Sequence, residues 1–379
     1  MTIYSGVIPM WYFSISSGVR SQVLSADIKT FTGHFPFSLD CFSPPGAREK
    51  GNSGKEYNTF TGKMQNNSNK TREKKVIVIT GPTATGKTAL GAALCLALGG
   101  EVISADSMQV YRGMDIGTAK VTREEMRGVP HHMLDVCPPG EDFSAARWVK
   151  MAAERTEDIF ARGKVPVIVG GTGLYIDSLL SGRSFAAAPE DREMRDALSA
   201  QYDTLGGEAF REALRKVDPD RAEKLHPADK KRLVRAMEVY RLTGKTITQH
   251  DEETKRAPQR WPSVRFALDF ERRETLYARI DRRVDEMLRR GLMEEVRGLL
   301  DAGLSPRCTA MQAIGYKEAA AYLTGQLGYD EAVEEIKRAS RRYAKRQLTW
   351  LRRDEALHRI VWEDEPDIEQ GLRFITRFL

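Results

Sequence analysis

From residue 75 onward the chain alternates short apolar runs with longer amphipathic stretches. "KKVIVIT" is apolar without interruption, the pattern of a short strand covered on both faces. "KTALGAALCLALGG" carries apolar residues at helical spacing and stops at paired glycines, a common helix terminus. "EVISADS" predicts a second strand ending in Asp106. "DFSAARWVKMAAERTEDIFAR", 142–162, predicts a helix that Asp142 or Ser144 would cap. "KVPVIVGGTGLYIDSLL" then gives strand, glycine turn and helix. Strands alternating with helices predict an α/β fold with a doubly wound parallel sheet, its ligands at the carboxyl ends of the strands.

Past "SGRSFAAAPED" the strand pattern stops. Residues 189–250 are helix-patterned and highly charged, as in "DREMRDALSAQY" and "DKKRLVRAMEVYRLTG". "VRFALDF", 264–270, reads as a strand returning to the core, and helices are expected over 274–302, 316–324 and 330–353. The expected organisation is a P-loop NTPase-like core built from 73–186 and 261–379, with a helical insertion domain at 187–260 and a helical C-terminal region. Residues 1–72 stand apart. They lack a basic start ahead of an apolar stretch, and 43–71 are rich in Ser, Gly, Asn, Lys and Pro. They read as a disordered extension, or as translated upstream sequence ahead of a start at Met64.

Composition narrows the class. A chain of 379 residues, 41% hydrophobic and 30% charged, suits two globular units. Its four cysteines are far apart with no CxxC pair, which argues against a zinc site or disulfide framework and fits the reducing cytoplasm. No apolar run is long enough to span a membrane as a helix. The net charge of +6 is compatible with a polyanionic partner. Its distribution says more. From Lys337 to Arg353 the chain carries Lys or Arg at 337, 338, 341, 342, 345, 346, 352 and 353 with no acid, interleaved with Tyr343 and Trp350. A one-sign stretch of this kind, with "KKRLVR" at 230–235 as a second cluster, favours contact with nucleic-acid phosphates.

"GPTATGKT", 81–88, matches G-x-x-x-x-G-K-[ST] between a strand and a helix. Its glycines let backbone N–H groups curl around phosphate oxygens, Lys87 adds a full charge, and the Thr88 hydroxyl is placed for Mg²⁺. The motif specifies phosphate and reads no base. Asp106 opens the polar loop "DSMQVYRGMDIGTAK", which can reach across the phosphate site. There it would act as a metal-holding carboxylate, a general base or a cap. The glycine turn in "VGGTGLY" brings Thr172 to the same cleft, or is simply a tight turn. The pair in "HHMLDV" has no further metal ligand at suitable spacing and reads as two structural histidines.

Taken in order, "GPTATGKT", "ISADSMQVYRGMDIGTAK", "VPHHMLDV", "VGGTGLY", "HPADKKRLVRAMEVY", "AIGYKE" and "YAKRQLTWLRR" closely resemble the bacterial tRNA dimethylallyltransferase family, over roughly 75–355. The resemblance implies transfer of a dimethylallyl group from dimethylallyl diphosphate to N6 of adenosine 37, in tRNAs reading codons that begin with U. It implies Mg²⁺ as cofactor, held by Thr88, and a monomer acting on the anticodon stem-loop. By likeness, Gly81, Pro82, Thr83, Ala84, Thr85, Gly86, Lys87 and Thr88 would hold the donor. Asp106, the general base, would meet the flipped adenine with Ser107, Met108 and Gln109. Thr172 and Arg195 match positions near the substrate, and Lys87, Thr88, Thr172 and Arg232 would join Asp106 in catalysis. Contacts to tRNA are implied for Lys231, Arg232, Leu233, Val234 and Arg235, and for Gln312, Ala313, Ile314, Gly315, Tyr316 and Lys317. They are also implied for Lys345, Arg346, Gln347, Leu348, Thr349, Trp350, Leu351 and Arg352. The family often has Gln where Lys231 stands, and no cysteine/histidine finger follows the core. The rival readings are a P-loop kinase of a small metabolite, an adenylate isopentenyltransferase and a non-catalytic RNA-binding module.

Overall fold

The computed structural model describes residues 74–182, 191–256 and 258–379. The segment 1–72 and most of "SGRSFAAAPED" lie outside the described residues.

Six strands form one sheet in the order β3-β2-β4-β1-β5-β6, all parallel: β1 Val76–Thr80, β2 Gly100–Ser104, β3 His131–His132, β4 Val165–Gly170, β5 Ser263–Phe270 and β6 His358–Trp362. The uninterrupted apolar pattern of β1 follows from its place at the centre. Val76 and Val78 face one layer with Trp148, Tyr316 and Ile336, while Ile77 and Ile79 face the other with Leu90, Leu94, Phe266 and Trp362. Each of the four is at most 2% exposed, a burial that contributes about 1.5–3 kcal/mol per side chain.

Helices cover both faces: α1 Lys87–Leu98, α2 Arg123–Met126, α3 Ala145–Ala161 and α4 Gly173–Leu180. Ser144, not Asp142, caps α3 by accepting from the Arg147 N–H. Gly99 ends α1 in the left-handed conformation. A second group follows: α5 Arg192–Leu205, α6 Gly207–Arg215, α7 Pro219–Lys224, α8 Lys230–Thr243 and α9 Ile247–Arg256. It packs its own apolar cluster around Leu198, Phe210, Leu214 and Leu233.

The stretch expected as one helix over 274–302 is two, α10 Arg273–Arg289 and α11 Leu292–Asp301. Gly291, at φ 96°, turns the chain between them. Then come α12 Tyr316–Leu323, α13 Tyr329–Leu351 and, past β6, α14 Ile368–Ile375. The two histidines form β3 and have structural partners, His131 the Val129 carbonyl at 2.9 Å and His132 the Glu101 carboxylate at 2.7 Å.

Candidate active site

Three loops meet at the carboxyl edge of the sheet, following β1, β2 and β4. The first is the phosphate loop. Gly86 adopts φ 83°, a region open to glycine at little cost, and hands the chain to α1 with its N-terminal amides toward the cavity. The loop is braced from within: Thr85 Oγ1 and Lys87 Nζ both donate to the Pro82 carbonyl, at 2.8 and 2.5 Å. It is also braced from α13. Gln347 Oε1 accepts from the Thr83 N–H at 3.1 Å, and Gln347 Nε2 donates to the Gly171 carbonyl at 3.0 Å. One buried amide therefore ties the first loop to the third. No side chain fits at Gly171, where a Cβ would come within 2.1 Å of Gln347 Nε2.

Asp106 leads the second loop. Its Oδ1 accepts from the N–H groups of Met108 and Gln109 at 2.9 and 3.4 Å, so it does cap the turn; Oδ2 has no hydrogen-bond partner among the described residues. Thr172 joins this loop to the glycine turn by accepting from the Ser107 N–H at 3.1 Å. Gln109 is committed to loop structure, accepting from Ser104 Oγ and donating to the carbonyls of Thr118 and Ala119. Farther along, Glu295 of α11 accepts from three successive amides, Asp115, Ile116 and Gly117, and pairs with the Tyr316 hydroxyl.

Between these loops lies a cavity of about 820 Å³. Thr83 to Thr88 line one side, Asp106 to Gln109 another, and Gln312, Ala313 and Ile314 a third. Sequence reasoning missed the fourth wall, which comes from Arg279 and Arg283 of α10 and Tyr343 of α13. Burial and the neighbouring Arg283 lower the Lys87 ammonium to about 7, opposed by the charge of Asp106. Burial lowers Arg283 as well. Burial and Asp106 push Tyr343 up to about 12. Cations desolvated and crowded together in this way favour an anionic partner.

Several expected contact residues do not reach this cavity. Arg232 lies on α8, exposed and paired with Asp229 at 2.7 Å, and is not among the lining residues. Lys231 beside it is exposed. Arg195 and Arg235 both pair with the fully buried Glu238, at 3.1 and 2.9 Å. Leu233 and Val234 are buried in the core of the second helical group. Leu348, Leu351, Gly315 and Tyr316 are buried in the α/β core, whereas Gln347 and Ala313, though largely buried, do line the cavity. Only Gln312 and Lys317 of the 312–317 block are exposed, with Ile314 half-buried.

The one-sign charge run of α13 is also partly neutralised by its surroundings. Lys337 pairs with Asp285, Arg341 with Asp281 and Arg338 with Glu335; Arg342 lies 3.8 Å from Glu335. Lys345, Arg346, Arg352 and Arg353 have no ion pair among the described residues. Arg342, Lys345, Arg346, Thr349, Trp350 and Arg353 form a shallow basic groove beside the main cavity. Trp350 donates to Asp177 at 2.9 Å, and Arg346 sits 5.4 Å above the Tyr343 ring.

The donor set for Mg²⁺ is sparse: among the described residues no cluster of three or more His, Cys, Asp or Glu can hold a metal. The exposed Thr88 hydroxyl on the first turn of α1 does fit Mg²⁺, which commonly takes few protein oxygens and completes its shell with water and substrate phosphates.

A phosphate loop on the carboxyl edge of an all-parallel sheet, opposed by a carboxylate loop, places the chain among P-loop α/β proteins. The family model described as IPP transferase matches residues 109–354, and that described as isopentenyl transferase matches 74–138. A tRNA dimethylallyltransferase of Geobacillus thermodenitrificans is 49% identical over 299 residues, 78% of this chain and 92% of that protein. One from Caldanaerobacter subterraneus is 46% identical over 306 residues, covering 80% and 97%. The full-length tRNA isopentenylpyrophosphate transferase of Bacillus halodurans superposes with a TM-score of 0.61 at 42% identity, covering 81% of this chain and 95% of that one. A eukaryotic dimethylallyltransferase acting on tRNA gives 0.66 at 32%, covering 77% and 75%. The chain belongs to the IPP transferase family.

Proposed function

We propose that the chain transfers a dimethylallyl group from dimethylallyl diphosphate to N6 of adenosine 37 in tRNA. The observation that carries this reading is the opposition of the phosphate loop and the Asp106 carboxylate across one cavity, with relatives named tRNA dimethylallyltransferase. Such a site suits a reaction in which an allylic carbon, rather than phosphorus, is attacked. The C–O bond to the diphosphate breaks, and pyrophosphate leaves with its charge facing the loop amides, Lys87 and Arg283. Preorganised donors of this kind stabilise developing charge without reorganising.

On the acceptor side, the exocyclic amine attacks the allylic carbon and gives up a proton. Asp106 Oδ2 accepts it, while Oδ1 stays tied to two backbone amides and keeps the carboxylate in place. Thr172 holds the loop from the far side by accepting from the Ser107 N–H. A base stacked in an anticodon loop reaches this depth only when flipped out, at a cost of a few kcal/mol that contacts in the cavity offset. Mg²⁺ bound at Thr88 would neutralise further charge on the diphosphate. The groove at Lys345 and Arg346 supplies sequence-independent grip on tRNA phosphates.

The decisive experiment incubates the protein with unmodified tRNA and dimethylallyl diphosphate and analyses the nucleosides by mass spectrometry. N6-isopentenyladenosine is expected among the nucleosides. Brisk consumption of ATP with the tRNA unaltered would sink the reading in favour of a kinase. For the groove, Lys345→Ala with Arg346→Ala is expected to weaken tRNA binding and to lower the slope of log affinity against log salt by about one to two. An unchanged slope in fluorescence-anisotropy titrations would show that α13 does not meet the phosphates.

A further inference from the structure

The segment joining β6 to α14 wraps the outer side of the phosphate loop. Trp362 Nε1 donates to the Thr85 carbonyl at 3.0 Å, and a Cβ at Gly86 would come within 2.9 Å of Pro366. Between these contacts, Glu365 pairs with Arg279 and lies 3.4 Å from Arg282. Arg279 in turn donates from Nε to the Ala84 carbonyl at 3.0 Å, with its guanidinium 5.4 Å from the centre of the Phe270 ring. Ala84 is the strained point of the loop. At φ 66° it adopts a left-handed conformation that costs a residue with a Cβ on the order of 1–2 kcal/mol. That conformation sets the course of the amides that follow toward Lys87, and an alanine needs help to keep it.

We propose that Glu365 is a positioning residue for the donor diphosphate: through Arg279 it fixes the Ala84 carbonyl, and so keeps the phosphate loop formed before the donor arrives. This rests on the reading that the loop grips a diphosphate. Glu365 is not among the residues that line the cavity and acts only through the guanidinium it orients. Its sign is unusual. A carboxylate at the rim of an anion site repels the ligand, so neutralising it should tighten binding if charge alone matters. As a brace, its neutralisation loosens binding instead.

The test is calorimetric binding of inorganic pyrophosphate to the full chain as wild type, Glu365→Gln, Ala84→Gly and the double variant. Glu365 is more than half exposed, so the glutamine variant is expected to fold as wild type does. Glu365→Gln is expected to weaken pyrophosphate about threefold to fivefold, the scale of one exposed ion pair, with tRNA affinity unmoved. In the Ala84→Gly background the same change is expected to alter affinity less than about 1.5-fold, because glycine takes positive φ without a brace. Unchanged or tighter binding in Glu365→Gln would overturn the proposal, as would an equal loss in both backgrounds. Failure of the wild type to bind pyrophosphate would overturn the phosphate-loop reading itself, and the brace with it.

Discussion

Asp106→Asn is expected to lower the turnover number for prenyl transfer by about 10²- to 10⁴-fold, the usual worth of a general base, while tRNA affinity stays within about threefold of wild type. Asparagine is the informative choice because Asp106 has two jobs. Its Oδ1 caps the turn at Met108 and Gln109, and an asparagine oxygen accepts the same two bonds. Only the ability to take a proton at Oδ2 is removed. Asp106→Ala loses both, and is expected to match the rate loss while also weakening tRNA binding. Single-turnover kinetics with anisotropy titrations separate the two. Near-normal turnover in the asparagine variant would reduce Asp106 to a cap.

Lys87→Met is expected to weaken pyrophosphate by about 10- to 100-fold, in line with the roughly 1.5–3 kcal/mol carried by a hydrogen bond to a charged group. It should lower the transfer rate by a further 10²-fold or so, as loss of a transition-state donor does. The pH dependence makes this specific. With Lys87 lowered to about 7, the empty site holds an ammonium below pH 7 and a neutral amine above it. An anion restores the charged form, so binding above pH 7 must draw in a proton. Affinity therefore falls as pH rises from about 7 toward 10.5, by up to tenfold per unit. Calorimetry at pH 8 in buffers of different ionisation enthalpy should find proton uptake in the wild type that is missing in Lys87→Met, and little difference at pH 6. Equal uptake in both would mean that Lys87 is already charged in the empty site.

The parts of the site legible in the sequence are those in which neighbours along the chain are neighbours in space. The phosphate loop, the Asp106 loop and the glycine turn each sit between a strand and a polar or helical segment, so spacing alone put them at one edge of a parallel sheet. Arg279 and Arg283 were hidden. They belong to an amphipathic helix rich in arginine, and only packing decides which of its faces meets Lys87. Of the blocks given to tRNA contact by likeness, only some residues lie at the surface, for a related reason. A helix turns 100° per residue, so a run such as 345–352 cannot face one partner: Lys345 and Arg346 are exposed, while Gln347, Leu348 and Leu351 are buried. Arg232, given a catalytic role by likeness, lies on α8 beside Asp229. The apparent one-sign run of α13 had its counter-charges, Asp281 and Asp285, on a different helix.

The central strand that launches the phosphate loop finds one of its two lateral partners only after the whole second helical group has been made, since β5 starts at Ser263 and lies directly beside β1. During translation at about 5–20 residues per second, that side of β1 stays unpaired for on the order of 10–40 s. A ribosome stalled before Ser263 would thus display a half-built nucleus with a naked apolar border. Nascent chains arrested there should attract chaperones, and chains released past Trp362 should shed them.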